Sequence, residues 1–362
     1  MKSILKYSAL VAAAVGMTAS VAQAEDITVV SWGGAYTQSQ VKAYHQPWMA
    51  NTGNVINSED YSGGLAEVRA QTEAGNVTWD LLDVTMSDAI AGCDEGIFEA
   101  VDHDALLAAA PDGTKPTGDF LEGSLGECFI PQIVYSTVWA YSKKAFPDGG
   151  PQNIMDVFDL EKFPGKRALQ KSPLYNLEWA LMADGVPSDQ VYDVLETEEG
   201  VERAFAKLDT IKDQVVWWTA GAQPPQLMAD GEVVVGTAYN GRWFSAIAEE
   251  KQPFEMIWYG QALDLDGWAI LKGGSKKDTV KDFLKFATDT QRLADQAKYI
   301  SYGPARKSSA PLVGKHAELG IDMGPHMPTN PDNMTEAFMT NFDFWADNKD
   351  ELNERFQAWI AG

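Results

Sequence analysis

The sequence predicts an α/β fold in two lobes, and three observations carry that prediction. Strand-like runs alternate with helical patterns, as in α/β units rather than all-α or all-β chains. The alternation loosens over residues 102–122, rich in Ala, Pro, Gly and Asp, and restarts beyond a long β-type run at 130–141. The chain is also longer than one hydrophobic core usually organises.

The elements follow in order. Residues 28–31 read as a strand, interrupted by Trp32-Gly33-Gly34-Ala35-Tyr36 before a helical pattern at 37–48. Residues 54–56 read as a strand, 63–74 as a helix and 79–84 as a third strand, ending at Thr85-Met86-Ser87-Asp88. A helix at 89–96 breaks at Gly96. The run at 130–141, with its Val, Tyr, Thr and Trp, is long enough to cross between lobes. Beyond it come a strand at 166–170, helices at 175–183 and 200–211, a strand at 215–219 and a short helix at 223–229. A strand at 233–238 ends in Tyr239-Asn240-Gly241-Arg242, and a helix follows at 243–250. Strands at 254–257 and 268–271 flank Asp264-Leu265-Asp266-Gly267, the second crossing. Helices at 276–288, 291–300 and 333–359 complete the chain. The expected lobes are 25–138 plus 268–318 and 139–267 plus 319–362, hinged at the crossings with a ligand cleft between them. The same pattern suits some multi-domain enzymes, so it does not decide function.

The N-terminus predicts export. Lys2 and Lys6 form a basic start, residues 9–15 are apolar, and Ala22-Gln23-Ala24 fits the small-residue cleavage rule. The apolar run is far shorter than the roughly 20 residues of a spanning helix. A signal peptide over 1–24, cleaved after Ala24, is therefore expected, with no cysteine there to carry a lipid. Without Lys2 and Lys6 the chain keeps 26 basic against 52 acidic residues, and its net charge moves from −24 to −26. Such a charge disfavours nucleic acid and anionic membranes as partners, favours solubility and weakly attracts cations. Cys93 and Cys128 are the two cysteines, and in an oxidising compartment they read as one disulfide. The four histidines have no metal-ligand spacing, so neither metal nor cofactor is expected. No GxSxG elbow, P-loop, dinucleotide fingerprint or HExxH helix occurs; Gly33-Gly34 lacks the third glycine. These absences argue against an enzyme.

What recurs is a turn type at strand ends, where open α/β sheets hold their ligands. In Trp32-Gly33-Gly34-Ala35-Tyr36 the glycines let backbone approach a ligand and the rings can pack on its alkyl or cationic part. Thr85, Ser87 and Asp88 offer polar contacts, although Ser87 or Asp88 equally reads as a helix N-cap. Gln223 with Pro224 and Pro225 is a ligand-side loop or a rigid turn. Tyr239 can wall a pocket; Arg242, if turned inward, favours a carboxylate or phosphate, and otherwise is a surface residue. Asp264 and Asp266 share one side of a period-2 segment, and Asp266 at the seam suits an ammonium group. Tyr302, in Tyr302-Gly303-Pro304, either caps the pocket or packs beneath its loop.

Together, Ser31-Trp32-Gly33-Gly34-Ala35-Tyr36, Gly231-Glu232-Val233, Tyr239-Asn240-Gly241-Arg242 and Tyr302-Gly303-Pro304 behind an export signal resemble the periplasmic spermidine/putrescine-type solute-binding proteins of ABC transporters. The resemblance spans essentially the whole mature chain. It implies a hinged two-lobe receptor of the type II-like periplasmic binding protein fold, a monomer that closes on one small amine and presents it to a membrane permease. By the same resemblance Trp32, Tyr36, Tyr239 and Tyr302 are aromatic walls, Thr85, Ser87 and Asp88 polar contacts, and Asp266 the amino-group ligand. Two departures stand out. Ser172 and Tyr175 occupy positions where polyamine binders present acids, and Glu178 falls too deep; Arg242 follows Asn-Gly. A polyamine is the first expectation. The alternative is a zwitterion such as an opine or an ω-amino acid, its amine on Asp266 and its carboxylate on Arg242.

Overall fold

The computed structural model describes residues 25–362, so the expected leader and its cleavage point lie outside the described residues. Strands β1 (Asp26–Ser31), β2 (Val55–Asp60) and β3 (Leu81–Thr85) form one parallel group in the order β2-β1-β3. β4 (Ile130–Ser142) and β8 (Phe254–Ile270) are the two crossings. β5 (Arg167–Gln170), β6 (Val215–Trp218) and β7 (Val235–Tyr239) form the second parallel group, in the order β7-β5-β6. The crossings lie side by side, antiparallel, between the groups: β8 pairs β3 and β4 pairs β7. Two-residue strands β9 (Gly303–Pro304) and β10 (Phe338–Met339) add to β4 and β8.

The parallel strands are short apolar runs because helices cover both of their faces. On one side of the first group Ile27, Val29, Leu81, Trp268 and Ile270 pack with Tyr44, Trp48 and Phe283 from flanking helices. On the other, Val30, Leu82, Val84, Leu265 and Ala269 pack with Val68, Ala89 and Phe98. The second group has its own core around Trp139, Leu169, Trp179, Leu181, Val201 and Leu208, closed by Trp345, Leu352 and Phe356 of the C-terminal helix. Two cores on one shared pair of crossing strands make the two-lobe fold expected from the sequence.

The second crossing is not two strands around a polar turn: β8 runs unbroken through Asp264 and Asp266, both buried. Its irregularity lies earlier. Trp139 faces Ile257 and Thr137 faces Ala262, so Trp258–Gln261 on β8 stand against the single Val138 of β4, with Gly260 at φ 70°. Helix starts also move. The third strand's helix is Met86–Asp94, because Thr85 rather than Ser87 or Asp88 is its cap, its side chain accepting from the Asp88 amide at 3.3 Å. The helix after β7 begins at Asn240, and the C-terminal helix is Phe342–Ala361, started by Asn341 accepting from the Phe344 amide. The stretch before it holds β10 instead of the expected helix. Cys93 and Cys128 are joined, tying the end of the Met86–Asp94 helix to the segment entering β4. Among the described residues, no helix is long and apolar enough to cross a membrane.

Candidate functional site

At the ends of β1, β3 and β7, beside the crossings, lies a narrow inner chamber of about 50 Å³ walled by Trp32, Tyr36, Thr85, Ile133, Tyr135, Tyr239, Arg242, Asp266 and Tyr302. A wider outer chamber of about 410 Å³ shares Trp32, Thr85, Tyr135, Tyr239 and Arg242 with it and reaches Asp60–Gly64, Asp88, Gln170, Thr219–Gly221 and Lys349. Seven of the nine inner-chamber residues were singled out in the sequence: Trp32, Tyr36, Thr85, Tyr239 and Arg242 because they follow strands, Asp266 from the crossing and Tyr302 from a turn after a helix.

Asp266 is 3% exposed and held from two sides: Trp32 Nε1 donates to Oδ2 at 2.7 Å and Tyr36 OH to Oδ1 at 2.6 Å. Burial pushes its carboxyl well above the ordinary range, and the nearby Asp83 carboxylate adds to the rise, against the two hydrogen bonds. Asp264, two residues back on the same face, accepts from Tyr175 OH at 2.5 Å and Thr340 at 3.0 Å, and burial raises it to about 6. It belongs to the wall behind the chamber.

Arg242 turns inward from the first turn of the Asn240–Phe244 helix and is 7% exposed. Its Nη2 donates to the Gly33 carbonyl at 2.9 Å and weakly to that of Trp32, while Nε has no partner. It pairs with no carboxylate among the described residues. Gly34 makes this approach possible: a Cβ there would stand 2.7 Å from Arg242 Nη1, and its φ of 58° is one that L side chains rarely adopt. The glycine pair after β1 thus admits the guanidinium of the facing element.

Aromatic rings close the site. Trp32 stacks on Tyr61 at 4.7 Å between centroids; Tyr36 meets Tyr302 at 5.6 Å, and Tyr135 meets Tyr239 at 5.5 Å. Tyr302 is buried against Gly241, whose Cβ would collide with its ring. Two expected contacts lie elsewhere. Ser87 lines neither chamber, sitting in the first turn of the helix that Thr85 caps. Asp88 lines only the outer chamber and is engaged by Lys349 from the C-terminal helix. Gln223 folds back to accept the Thr219 and Ala220 amides, a rigid turn. Glu178 is buried against Tyr192 and Trp345 and faces no chamber.

Ile133, Tyr135 and Tyr61 were missed, and Tyr175 was noted only as standing where polyamine binders present an acid. Ile133 and Tyr135 sit in the middle of β4, where a β-type run reads as core. Tyr175 had one visible signal, a large side chain just after Ser172-Pro173; its φ of 66° is unusual for any residue but glycine and aims its hydroxyl at Asp264.

The model of the family described as "Bacterial extracellular solute-binding protein" matches residues 41–329. A γ-aminobutyric acid-binding protein of Pseudomonas aeruginosa is 38% identical over 343 residues, 95% of this chain and 93% of its own. The structure of MotA, a periplasmic binding protein of Agrobacterium tumefaciens B6 in complex with glucopine, is 32% identical, with a TM-score of 0.84 over 92% of this chain and 99% of that one. The Atu4243 GABA receptor structure is 29% identical, with a TM-score of 0.77 over 92% and 97%. The family match, near-complete coverage and shared fold lead to one conclusion: the chain belongs to the bacterial extracellular solute-binding protein family.

Proposed function

We propose that this receptor captures a small zwitterionic amine of the γ-aminobutyrate class and hands it to an ABC-type permease. The observation that carries the reading is Arg242, a buried cation in the chamber wall with an unpartnered Nε and no described carboxylate to neutralise it. A buried unpaired charge is costly unless something completes it. A ligand carboxylate does so, while an ammonium on Asp266 neutralises the other pole. A diamine would satisfy Asp266 and place its second charge near a guanidinium, so the expected polyamine gives way to the zwitterionic alternative. The relatives named for γ-aminobutyrate and glucopine support that choice. The slim inner chamber, walled by four tyrosines and a tryptophan, suits an unbranched alkyl chain. Trp32, Tyr36, Tyr239 and Tyr302 are its walls in this reading, and Thr85 lines it as a polar neighbour.

Calorimetric titration of the ligand-free mature protein tests it, with γ-aminobutyrate, an opine, putrescine and spermidine, and with Asp266→Asn and Arg242→Ala. The expected result is binding of a zwitterion, lost in both variants, with no heat from the polyamines. Putrescine binding that survives Arg242→Ala would overturn the ligand class and leave the receptor role standing.

A further inference from the structure

Behind Asp266 lies a second carboxylate, Asp83, fully buried and lining neither chamber. Thr85 stands opposite Asp266 and Asp83 opposite Trp268 in the β3–β8 ladder. The two aspartates are therefore diagonal neighbours on one sheet face, about 7 Å apart by the usual spacing of such pairs. A chain of polar groups joins them. Gln40 Nε2 donates to Asp83 Oδ2 at 2.7 Å and to Gln132 Oε1 at 3.2 Å; Tyr36 OH contacts that same Gln132 oxygen and reaches Asp266 Oδ1 at 2.6 Å.

With both carboxyls ionised the chain carries two negative charges and no cation among its own groups. Gln132 Oε1 accepts from Gln40 and Gln296, and the Tyr36 hydroxyl donates to Asp266, but Asp83 Oδ1 has no partner. One added proton halves that charge. On Asp266 it can point to the Tyr36 oxygen; on Asp83 it removes the charge from the carboxyl with the orphan oxygen. The surroundings supply little compensation. Asp264 adds negative charge from β8. Tyr44, Tyr61, Tyr239 and Tyr302 face the pair from four other segments as neutral phenols, with Arg292 and Asp295 beyond Tyr44 and the Asp88–Lys349 pair beyond Tyr61. Arg242 is the one cation lining the inner chamber, and it is turned to the Gly33 carbonyl. Two carboxyls so close in a dry site do not both ionise readily, and burial raises each of them, Asp83 to about 7.

We infer that the empty receptor holds a proton shared between Asp83 and Asp266, and that an ammonium docking on Asp266 expels it to solvent, Asp83 being the positioning residue that sets the charge of the amine site. This rests on the reading of Asp266 as the ammonium ligand. No bond to the ligand forms: the ammonium replaces the proton at the amine pole, whose charge is unchanged, and the ligand carboxylate neutralises Arg242 at the other pole.

The test uses the mature protein with ¹³C-labelled aspartate and calorimetry in two buffers of different ionisation enthalpy. In the empty receptor, carboxyl signals titrating near neutrality are expected, altered together in Asp83→Asn and in Asp266→Asn. Adding γ-aminobutyrate at neutral pH should convert the pair to the ionised form and release close to one proton per ligand, falling toward none at alkaline pH. Asp83→Asn should bind the ligand with much less release, which a merely structural role would not produce; should that variant fail to fold, the wild-type titration and release decide alone. Aspartates that all titrate in the ordinary acidic range, or binding without release, overturn the inference. If γ-aminobutyrate does not bind, the functional reading fails, and putrescine in the same sample decides: expulsion by it upholds the proton exchange, and an unchanged signal with both amines overturns it.

Discussion

The two poles of the cleft are built on opposite plans. At the Asp266 pole both carboxyl oxygens of Asp266 already have donors, Trp32 and Tyr36, and a buried polar chain continues to Gln132, Gln40 and Asp83, where one oxygen is left without a partner. At the Arg242 pole the guanidinium rests on backbone carbonyls, its Nε has no partner, and no described carboxylate answers its charge. One wall is finished before the ligand arrives; the other waits for it. A receptor gains specificity this way, because a ligand lacking the missing group leaves the unfinished pole unpaid.

The largest effects come from breaking each pole in turn. Arg242→Met and Asp266→Asn should both weaken zwitterion binding by roughly 30-fold or more, the usual cost of removing one partner of a desolvated charge pair. In thermal unfolding of the empty protein they should part company. Arg242→Met removes a buried charge that no carboxylate among the described residues neutralises, so the melting temperature should stay level or rise. Asp266→Asn keeps one acceptor for the Trp32 N–H and forces the Tyr36 hydroxyl from donor to acceptor, and should cost about 1–2 kcal/mol. Equal destabilisation by both would erase the contrast between finished and waiting walls.

A second comparison sharpens the first. Asp266 pairs with Thr85, which caps the Met86–Asp94 helix that the Cys93–Cys128 bond ties down. Replacing both cysteines with serine should lower stability by about 2–4 kcal/mol in denaturant unfolding, with little change in affinity, because neither residue lines a chamber. A large loss of affinity would mean that the staple, rather than the local hydrogen bonds, holds the amine pole in shape.

Much of this was legible in the sequence, for a local reason. Trp32, Tyr36, Thr85, Tyr239 and Arg242 follow strands that announce themselves by apolar runs, and ligand sites gather at strand ends. What stayed hidden is non-local. Asp266 was singled out as a carboxylate at the crossing, but not its place in mid-strand opposite Thr85, half the chain away, and its neighbours Ile133 and Tyr135 look like core on a run that also crosses the cleft. The Asp83 chain needs Gln40, Gln132 and Tyr36 brought together from three elements, and no spacing in the sequence encodes that. Ser87 and Asp88 misled because an N-cap and a ligand loop use the same residue types; the cap fell one step earlier, on Thr85.

The hidden pair also separates the poles by pH. Asp83 has a folded pKa raised from the ordinary carboxylate value to about 7, chiefly by burial. Below the ordinary value folded and unfolded chains are both protonated there; above it the unfolded chain loses the proton first, so the Asp83 contribution to stability falls as pH rises, until about 7. Asp83→Asn has no such slope. Its stability relative to wild type should therefore climb between pH ~4 and ~7 and level off above, in paired urea unfolding curves. Taking the difference cancels the opposite slope of His45, whose pKa burial lowers to about 4. A flat difference would mean that Asp83 is not held protonated in the fold.

The smallest effect tests whether the finished pole is finished throughout. Thr85 lines both chambers while its side chain caps the Met86–Asp94 helix through the Asp88 amide. If that hydroxyl is fully spent on the cap, Thr85→Ala should cost about 1 kcal/mol of stability and leave affinity within about threefold, with Thr85→Ser restoring both. The cost falls on the helix start that carries Asp88, whose partner Lys349 reaches over from the C-terminal helix, so closure should be slightly eased or slowed rather than abolished. An affinity loss approaching that of Asp266→Asn, with stability unchanged, would instead make the Thr85 hydroxyl a ligand contact. The amine pole would then also be waiting for its ligand, and the asymmetry would narrow to Arg242 alone.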